Sequence, residues 1–223
     1  MRSVIVAVMA GLLIAAPAAS QVPPSAGQVE RYEGLMKAAH DGDIDAASRA
    51  ISAGADLEAR DGNGRTAVHI AAFASQADMI AYLAKSGADM NALEHDAYDA
   101  VTIAAVANDL PTLRAALEAG NRPDNITSRY DGTALIAAAH LGHHQVVKTL
   151  IDAGAPLDHV NNLAWTALIE AVVLGDGGPD HQKCVRHLLD AGADKSIPDR
   201  QGNTPLDLAR SRGYDEIAAM LGD

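Results

Sequence analysis

The chain has 223 residues, of which 48% are hydrophobic, so it is long enough to bury a substantial core. Its formal net charge of −12 at pH 7 argues against a general binder of nucleic acid or of anionic membranes. Aromatic residues make up only 3%, which favours close helix packing over a β-sandwich. Cys184 is the single cysteine, so no internal disulfide can form and packing alone must hold the fold.

Residues 1–20 have the pattern of a secretory signal peptide. Arg2 supplies a positive start, residues 4–16 form an uninterrupted apolar run, and Ala18 and Ser20 are the small residues before Gln21. Since a bilayer span needs about 20 apolar residues, we expect cleavage after Ser20 and no membrane insertion of the mature chain. Cleavage removes Arg2 and no acid, which changes the net charge from −12 to −13. We expect a periplasmic or secreted protein.

The next residues, 21–29, contain two prolines, a serine and a glycine, and we interpret them as a flexible spacer. A repeated unit follows, and it is clearest in residues 131–156, DGTALIAAAHLGHHQVVKTLIDAGAP. That stretch predicts a short apolar helix over 134–140, a stop at Gly142, and a second apolar helix over 145–152. Neither helix can bury its apolar face alone, so the units must stack.

Each unit has a residue placed to open its first helix. These residues are Glu33, Thr66, Asp99, Thr133, Thr166 and Thr204. Their successive spacings are 33, 33, 34, 33 and 38 residues, and the Thr and Asp side chains can cap a helix. With this period, and with segments such as GRTAVHIAAFASQADMIAYLAKSGADMN (64–91) and NTPLDLARSRGYDEIAAML (203–221), the chain resembles the ankyrin repeat family.

The resemblance implies an all-α solenoid of about six helix-turn-helix repeats, joined by short β-like finger turns, over residues 30–223. The repeats are expected at about 30–61, 62–94, 95–127, 128–161, 162–199 and 200–223. The first repeat lacks the family's Thr-Pro-Leu-His start, as expected for an end unit. The fifth repeat carries five extra residues within 175–181, which we interpret as a turn-rich loop between its two helices.

No catalytic motif is present: the sequence has no HExxH, no Gly-x-Ser-x-Gly and no phosphate-binding loop. Among nine histidines, His140, His143 and His144 cluster in sequence, so a metal or catalytic site built from them and the 175–181 loop is an alternative. A metal site needs three or four ligands converging at about 2.0–2.3 Å, which this linear pattern does not indicate. We expect no catalytic residue, no cofactor and no metal.

The resemblance places partner binding on the concave face, formed by the fingers and the exposed side of the first helices. The candidate partner-binding residues there are Arg60, Arg65, Phe73, His95, Tyr98, Arg129, Tyr130, His140, Trp165 and Arg200. Trp, Tyr and Arg are enriched at interface hot spots. We therefore predict a basic, aromatic inner face on an acidic body. Two alternatives stay open: Trp165 could pack against the loop of its own repeat, and Tyr98 could fill a gap between fingers.

These observations predict an exported, non-catalytic scaffold that binds another protein. A basic face suits a partner with an acidic or carboxylate-bearing surface. We expect a monomer that binds no nucleic acid. A secreted effector acting on a host component is an alternative that would use the same surface, and a His-based metal or enzymatic protein is a further one.

Overall fold

A computed structural model describes residues 21–222, so the predicted signal peptide (1–20) and Asp223 lie outside the described residues. The described range contains thirteen α-helices and no strand, with one isolated antiparallel bridge between Thr127 and Gly132. The helices are α1 (Ala26–Val29), α2 (Gly34–Asp41), α3 (Ile44–Ser52), α4 (Ala67–Phe73), α5 (Ala77–Lys85), α6 (Ala100–Val106), α7 (Leu110–Glu118), α8 (Ala134–His140), α9 (His144–Asp152), α10 (Ala167–Val173), α11 (Pro179–Asp190), α12 (Pro205–Arg212) and α13 (Asp215–Gly222).

Helices α2 to α13 form six consecutive pairs. The first helices contact one another in chain order from α2 to α12, and the second helices do so from α5 to α13. Each repeat therefore packs on its sequence neighbours, which confirms the predicted solenoid of helix-turn-helix repeats. None of the helices in residues 21–222 combines the length and the apolar character needed to cross a membrane.

All six residues predicted to open a first helix are N-cap residues in the structure. The Asp99 carboxylate accepts a hydrogen bond from the Thr102 backbone N–H at 2.8 Å, and the Thr133 hydroxyl accepts one from the Ile136 N–H at 3.3 Å. Glu33 makes no such side-chain bond. The cap is thus weakest in the first repeat, where the sequence departs from the pattern.

The core is one continuous layer between the two sets of helices. Small side chains such as Ala71, Ala104 and Ala138 line the first helices and have no exposed surface, so neighbouring backbones approach closely. The second helices contribute larger fully buried side chains, including Leu83 and Leu150. Truncating one of these leucines to alanine would cost about 2–5 kcal/mol, because the neighbouring helices cannot collapse into the space.

Hydrogen bonds also join successive repeats at the start of second helices such as α5 and α9. A ring nitrogen of His143 bonds to the Ala105 carbonyl of the preceding repeat at 3.0 Å, and the Gln76 amide donates to the His40 carbonyl at 3.3 Å. These bonds satisfy carbonyl groups that a helix end leaves without intrahelical partners. They fix the position of one repeat against the next.

The insertion in the fifth repeat differs from the loop that the sequence predicts. Residues 179–181 belong to α11, which begins at Pro179 and has 12 residues against 9 in α9. His181 bonds through Nε2 to the His140 carbonyl at 3.0 Å and through Nδ1 to Asp176 at 2.9 Å. The insertion therefore lengthens a helix and attaches it to the end of α8.

The interpretation of residues 21–29 as a flexible spacer is wrong where α1 forms. Ser25 and Gln28 form a reciprocal capping box, in which each side chain bonds to the backbone N–H of the other residue. The Gln28 amide also donates to the Asn63 side chain at 2.6 Å, so α1 is attached to the first finger. The capping box provides hydrogen-bond partners for the backbone N–H groups at the start of α1, although the Pro-Pro-Ser composition of this segment predicts a linker.

His69 links the second repeat to the third and must be neutral to do so. Its Nδ1 accepts a hydrogen bond from the Thr66 N–H at 3.1 Å, and its Nε2 lies 3.1 Å from the Tyr98 carbonyl, which can only accept. Nε2 therefore carries the proton. Burial lowers the pKa of His69 to about 4.

We expect the protein to lose stability in acid because of His69. Its pKa is about 6.5 when unfolded, so between pH 6.5 and 4 the unfolded chain binds more protons than the folded one and stability falls as the pH falls. Lowering the pH from 7 to 5 should cost about 2 kcal/mol through this residue. Denaturant unfolding of wild type and His69→Leu at both pH values measures it. An equal pH effect in the two proteins contradicts the assignment.

Candidate partner-binding face

The ten predicted contact residues differ in their accessibility. Arg60, His95, Arg129 and Arg200 are exposed, whereas Phe73, Tyr130, His140 and Trp165 are partly buried. Arg65 and Tyr98 are buried, with relative exposures of 2% and 9%. The prediction therefore needs correction at Arg65 and Tyr98, because neither is free surface for a partner.

Arg65 is covered by the N-terminal segment, residues 21–24. Its Nη2 donates a hydrogen bond to the Val22 carbonyl, and its Nη1 lies 3.5 Å from the Asp61 carboxylate. The guanidinium carbon lies 5.3 Å from the centre of the Phe73 ring, within the range of a cation–π contact. The predicted spacer therefore shields this part of the concave face.

Tyr98 forms the base of the finger before α6. Its backbone N–H donates to the Glu94 side chain at 3.2 Å, and its carbonyl accepts from the Glu94 N–H at 3.0 Å. Burial raises the pKa of the Tyr98 phenol. The structure thus favours the alternative in which Tyr98 fills space between fingers.

Two of the exposed arginines connect adjacent fingers. Arg60 Nη1 donates to the Leu93 carbonyl of the next finger at 2.7 Å, and Arg200 Nη2 donates to the Asn162 carbonyl of the preceding finger at 2.6 Å. A carbonyl oxygen accepts a hydrogen bond from a guanidinium group but carries no negative charge to neutralise it. Both positive charges therefore remain at the surface of the fingers. Arg129 instead forms an exposed ion pair with Asp96 at 3.3 Å, and a pair of this kind contributes little to stability.

The fingers also carry apolar contact candidates that sequence reasoning missed. Leu93, Ile126 and Val160 are 36%, 46% and 44% exposed, and they lie on three successive fingers. We call these three residues the finger row. Leu141, at the end of α8, is a further exposed apolar side chain at 41%. Large exposed apolar side chains at equivalent places in neighbouring repeats mark a surface suited to another protein.

A positional signal in the sequence could have found the finger row. Each finger is closed by the N–H of one residue, as in the bond from Asn161 N–H to the Trp165 carbonyl at 3.0 Å. Each finger-row residue directly precedes the closing residue of its own finger, which leaves its side chain outside the hydrogen-bonded loop.

Glu170 is the most unusual residue near this face. It is 4% exposed on α10, in the position that holds Ile70 on α4 and Ile103 on α6. Its Oε1 accepts a hydrogen bond from the Asn161 amide at 3.0 Å. Its Oε2 has no hydrogen-bond partner among the described residues, although Nδ1 of His140 lies 3.5 Å away.

Burial raises the pKa of Glu170 to about 7, despite the Asn161 hydrogen bond that favours its ionised form. Burial, followed by the charge of His181, lowers the pKa of His140. Both shifts favour a neutral carboxylic acid beside a neutral imidazole. The concave face at repeats four and five therefore carries less negative charge near neutral pH than its composition implies.

We expect Glu170→Gln to stabilise the protein at alkaline pH. The folded pKa lies above the unfolded value of about 4.5, so stability contributed by the protonated acid is present below pH 4.5 and is lost as the pH rises through about 7. Wild type should lose about 2 kcal/mol more than the variant between pH 5 and 8. Thermal unfolding at both pH values tests this, with the exposed Glu118→Gln as control. A variant with the same pH dependence as wild type argues against a buried acid at Glu170.

The structure brings no three His, Cys, Asp or Glu side chains between residues 21 and 222 into an arrangement that could hold a metal ion. Of the sequence cluster, His143 bonds to the Ala105 carbonyl, and the His144 ring lies tilted by 32° against that of His187 with centroids 6.0 Å apart. Cys184 is fully buried, and burial raises the pKa of its thiol to about 12. A thiol of this kind is a core side chain rather than a nucleophile.

Comparison with known proteins identifies the family. Residues 101–199 match a model of ankyrin repeats in three copies, and residues 35–84 match a second ankyrin repeat model. The ankyrin repeat protein YahD of Escherichia coli (strain K12) is 38% identical over 188 residues, which cover 83% of this chain and 92% of YahD. The chain belongs to the ankyrin repeat family.

Solved structures agree with this assignment. An ankyrin repeat domain from Acinetobacter baumannii AYE has a TM-score of 0.79 and 42% identity, and the match covers 84% of this chain and 95% of that domain. The ankyrin repeat protein EF0377 has a TM-score of 0.78 and 32% identity, with 86% of this chain and 98% of EF0377 covered. Ankyrin repeats indicate a scaffold for protein–protein interaction.

Proposed function

We propose that this ankyrin repeat protein is an exported, non-catalytic and monomeric scaffold that binds another protein through its concave face. The observation that carries the proposal is the finger row, Leu93, Ile126 and Val160, which leaves exposed apolar side chains on three successive fingers. Exposed apolar side chains of this kind mark a protein-binding surface, and Trp, Tyr and Arg side chains supply much of the affinity at such interfaces. The apolar run before Ser20 supports export to the periplasm.

Repeats four and five lie away from the contacts that residues 21–24 make with repeats two and three. Tyr130, His140 and Trp165 are partly exposed there, and Leu141 lies at the end of the same α8 helix as His140. The corresponding surface of the second repeat is covered, since residues 21–24 lie over Arg65. We therefore place the main contact at Tyr130 and Trp165 rather than at Phe73.

The charges on the fingers favour a partner with carboxylate groups. The guanidinium groups of Arg60 and Arg200 are held by carbonyl oxygens and stay positively charged. Each is oriented by its hydrogen bonds, so little side-chain entropy is lost when a carboxylate binds. The acidic body of the protein repels such a partner elsewhere, which directs it to the fingers.

Replacing Tyr130 and Trp165 with alanine should abolish capture of the partner from periplasmic extract. The two side chains lie in the part of the face that is open, and hot-spot truncation costs about 2 kcal/mol or more of binding free energy. An Ile126→Lys/Val160→Lys protein should also fail to capture the partner. An Ala191→Lys/Ala219→Lys protein, changed at exposed positions on or at the end of second helices, is the control and should capture it. The proposal is contradicted if the alanine variant captures the partner fully, or if it loses its cooperative thermal unfolding transition and still captures the partner.

The charge hypothesis is tested with Arg60→Gln/Arg200→Gln. We expect weaker binding of the captured partner at low salt and a smaller dependence of affinity on salt, because two oriented charges are removed. Titration calorimetry at two salt concentrations measures both effects. Arg114→Gln/Arg186→Gln, which removes two exposed arginines from second helices, serves as the matched control. Equal losses in the two double variants mean that net charge, not the finger arginines, attracts the partner.

A further inference from the structure

The N-terminal segment, residues 21–24, is seated on the first helices of repeats two and three. Its residues Gln21 and Pro23 border a cavity of about 260 Å³. The other lining residues are Ala72, Phe73, Ile103, Val106 and Ala107. All five lie on or at the end of α4 and α6, and none carries a polar side chain. The cavity therefore suits a small group without charge.

Contacts on both sides hold this segment in place. The buried Arg65 guanidinium donates to the Val22 carbonyl. On the other side, the Gln28 amide donates to Asn63 at 2.6 Å and the Tyr32 hydroxyl donates to Asp61 at 2.7 Å. The position of Gln21 is thus fixed by the helix that follows it and by the carbonyl of its neighbour.

Gln21 itself fits the cavity poorly as an open glutamine. Its side-chain Nε2 is buried and has no hydrogen-bond partner within residues 21–222, which carries a desolvation cost. Cleavage after Ser20 would add a positively charged α-amino group to the same residue, beside an apolar wall. Both the orphaned amide nitrogen and the new charge disfavour a seated segment.

We propose that Gln21 is a modification site: as the mature N-terminal residue it cyclises to pyroglutamate, and the lactam ring occupies the cavity. The α-amino nitrogen attacks the side-chain carbonyl carbon Cδ and forms the ring C–N bond. The Cδ–Nε2 bond breaks, and Nε2 leaves as ammonia with a proton from the amine. No oxidant, reductant or co-reactant is consumed. The product lacks both the orphaned nitrogen and the charge.

The inference rests on the proposed export with cleavage after Ser20, and one measurement separates the two. Protein from the periplasm is labelled at its primary amines before trypsin digestion, so that cyclisation during digestion cannot mimic the native product. We expect an N-terminal peptide 21–31 that is unlabelled and lighter than the encoded peptide by one ammonia. A labelled Gln21 overturns the inference and leaves export intact, whereas a chain that starts at Met1 overturns both.

Gln21→Asn provides the matched control, because its side chain is one methylene too short to close the five-membered ring. Its N-terminus should be labelled, and its Tm should lie about 2–4 °C below that of the cyclised protein, since a charged N-terminus leaves the cavity. Hydrogen exchange at the Val22 amide should be faster in the variant. Equal Tm and equal exchange in the two proteins would show that the lactam does not occupy the cavity.

Discussion

Burial of apolar surface between neighbouring helix pairs is the interaction on which the rest of this structure depends. Each pair has one apolar side that only another pair can cover, so the core runs without interruption from Tyr32 to Leu221. Because each repeat contacts only its neighbours, stability is shared along the stack rather than concentrated in one centre. A chain with one cysteine can be held in this way, since burial replaces the cross-links that small exported proteins often use.

Polar groups fix the position of each repeat against the next, because apolar contacts are not directional. His69 spans from the cap of α4 to the carbonyl of Tyr98, and His181 joins the long α11 helix to the end of α8. On the fingers, Arg60 and Arg200 bind carbonyl groups of adjacent turns. The same arginines thus align the fingers and give them a positive surface, so their structural role is compatible with the proposed role in binding.

Two parts of the concave face depart from the repeating pattern. In the second repeat, residues 21–24 cover Arg65 and leave it unavailable to a partner. In the fifth, Glu170 takes a position that is otherwise apolar, and its burial raises the pKa of the carboxyl group to about 7. Asn161, which closes its own finger, supplies the amide that Glu170 needs. The face therefore has one position that residues 21–24 cover and another whose charge depends on pH.

The sequence alone determined the repeat, its period and the residue that opens each of the six first helices, because capping and apolar periodicity are local properties that each unit repeats. Arg60, Arg129 and Arg200, which the sequence predicted on the concave face, are exposed in the structure. Only the tertiary structure decided that Arg65 and Tyr98 are buried, since their burial depends on residues 21–24 and on an adjacent finger. It likewise decided that the insertion extends α11 and that Glu170 is desolvated. The local sequence pattern determines which helix or turn a residue belongs to. The accessibility of its side chain depends on which segments, distant in sequence, pack over it.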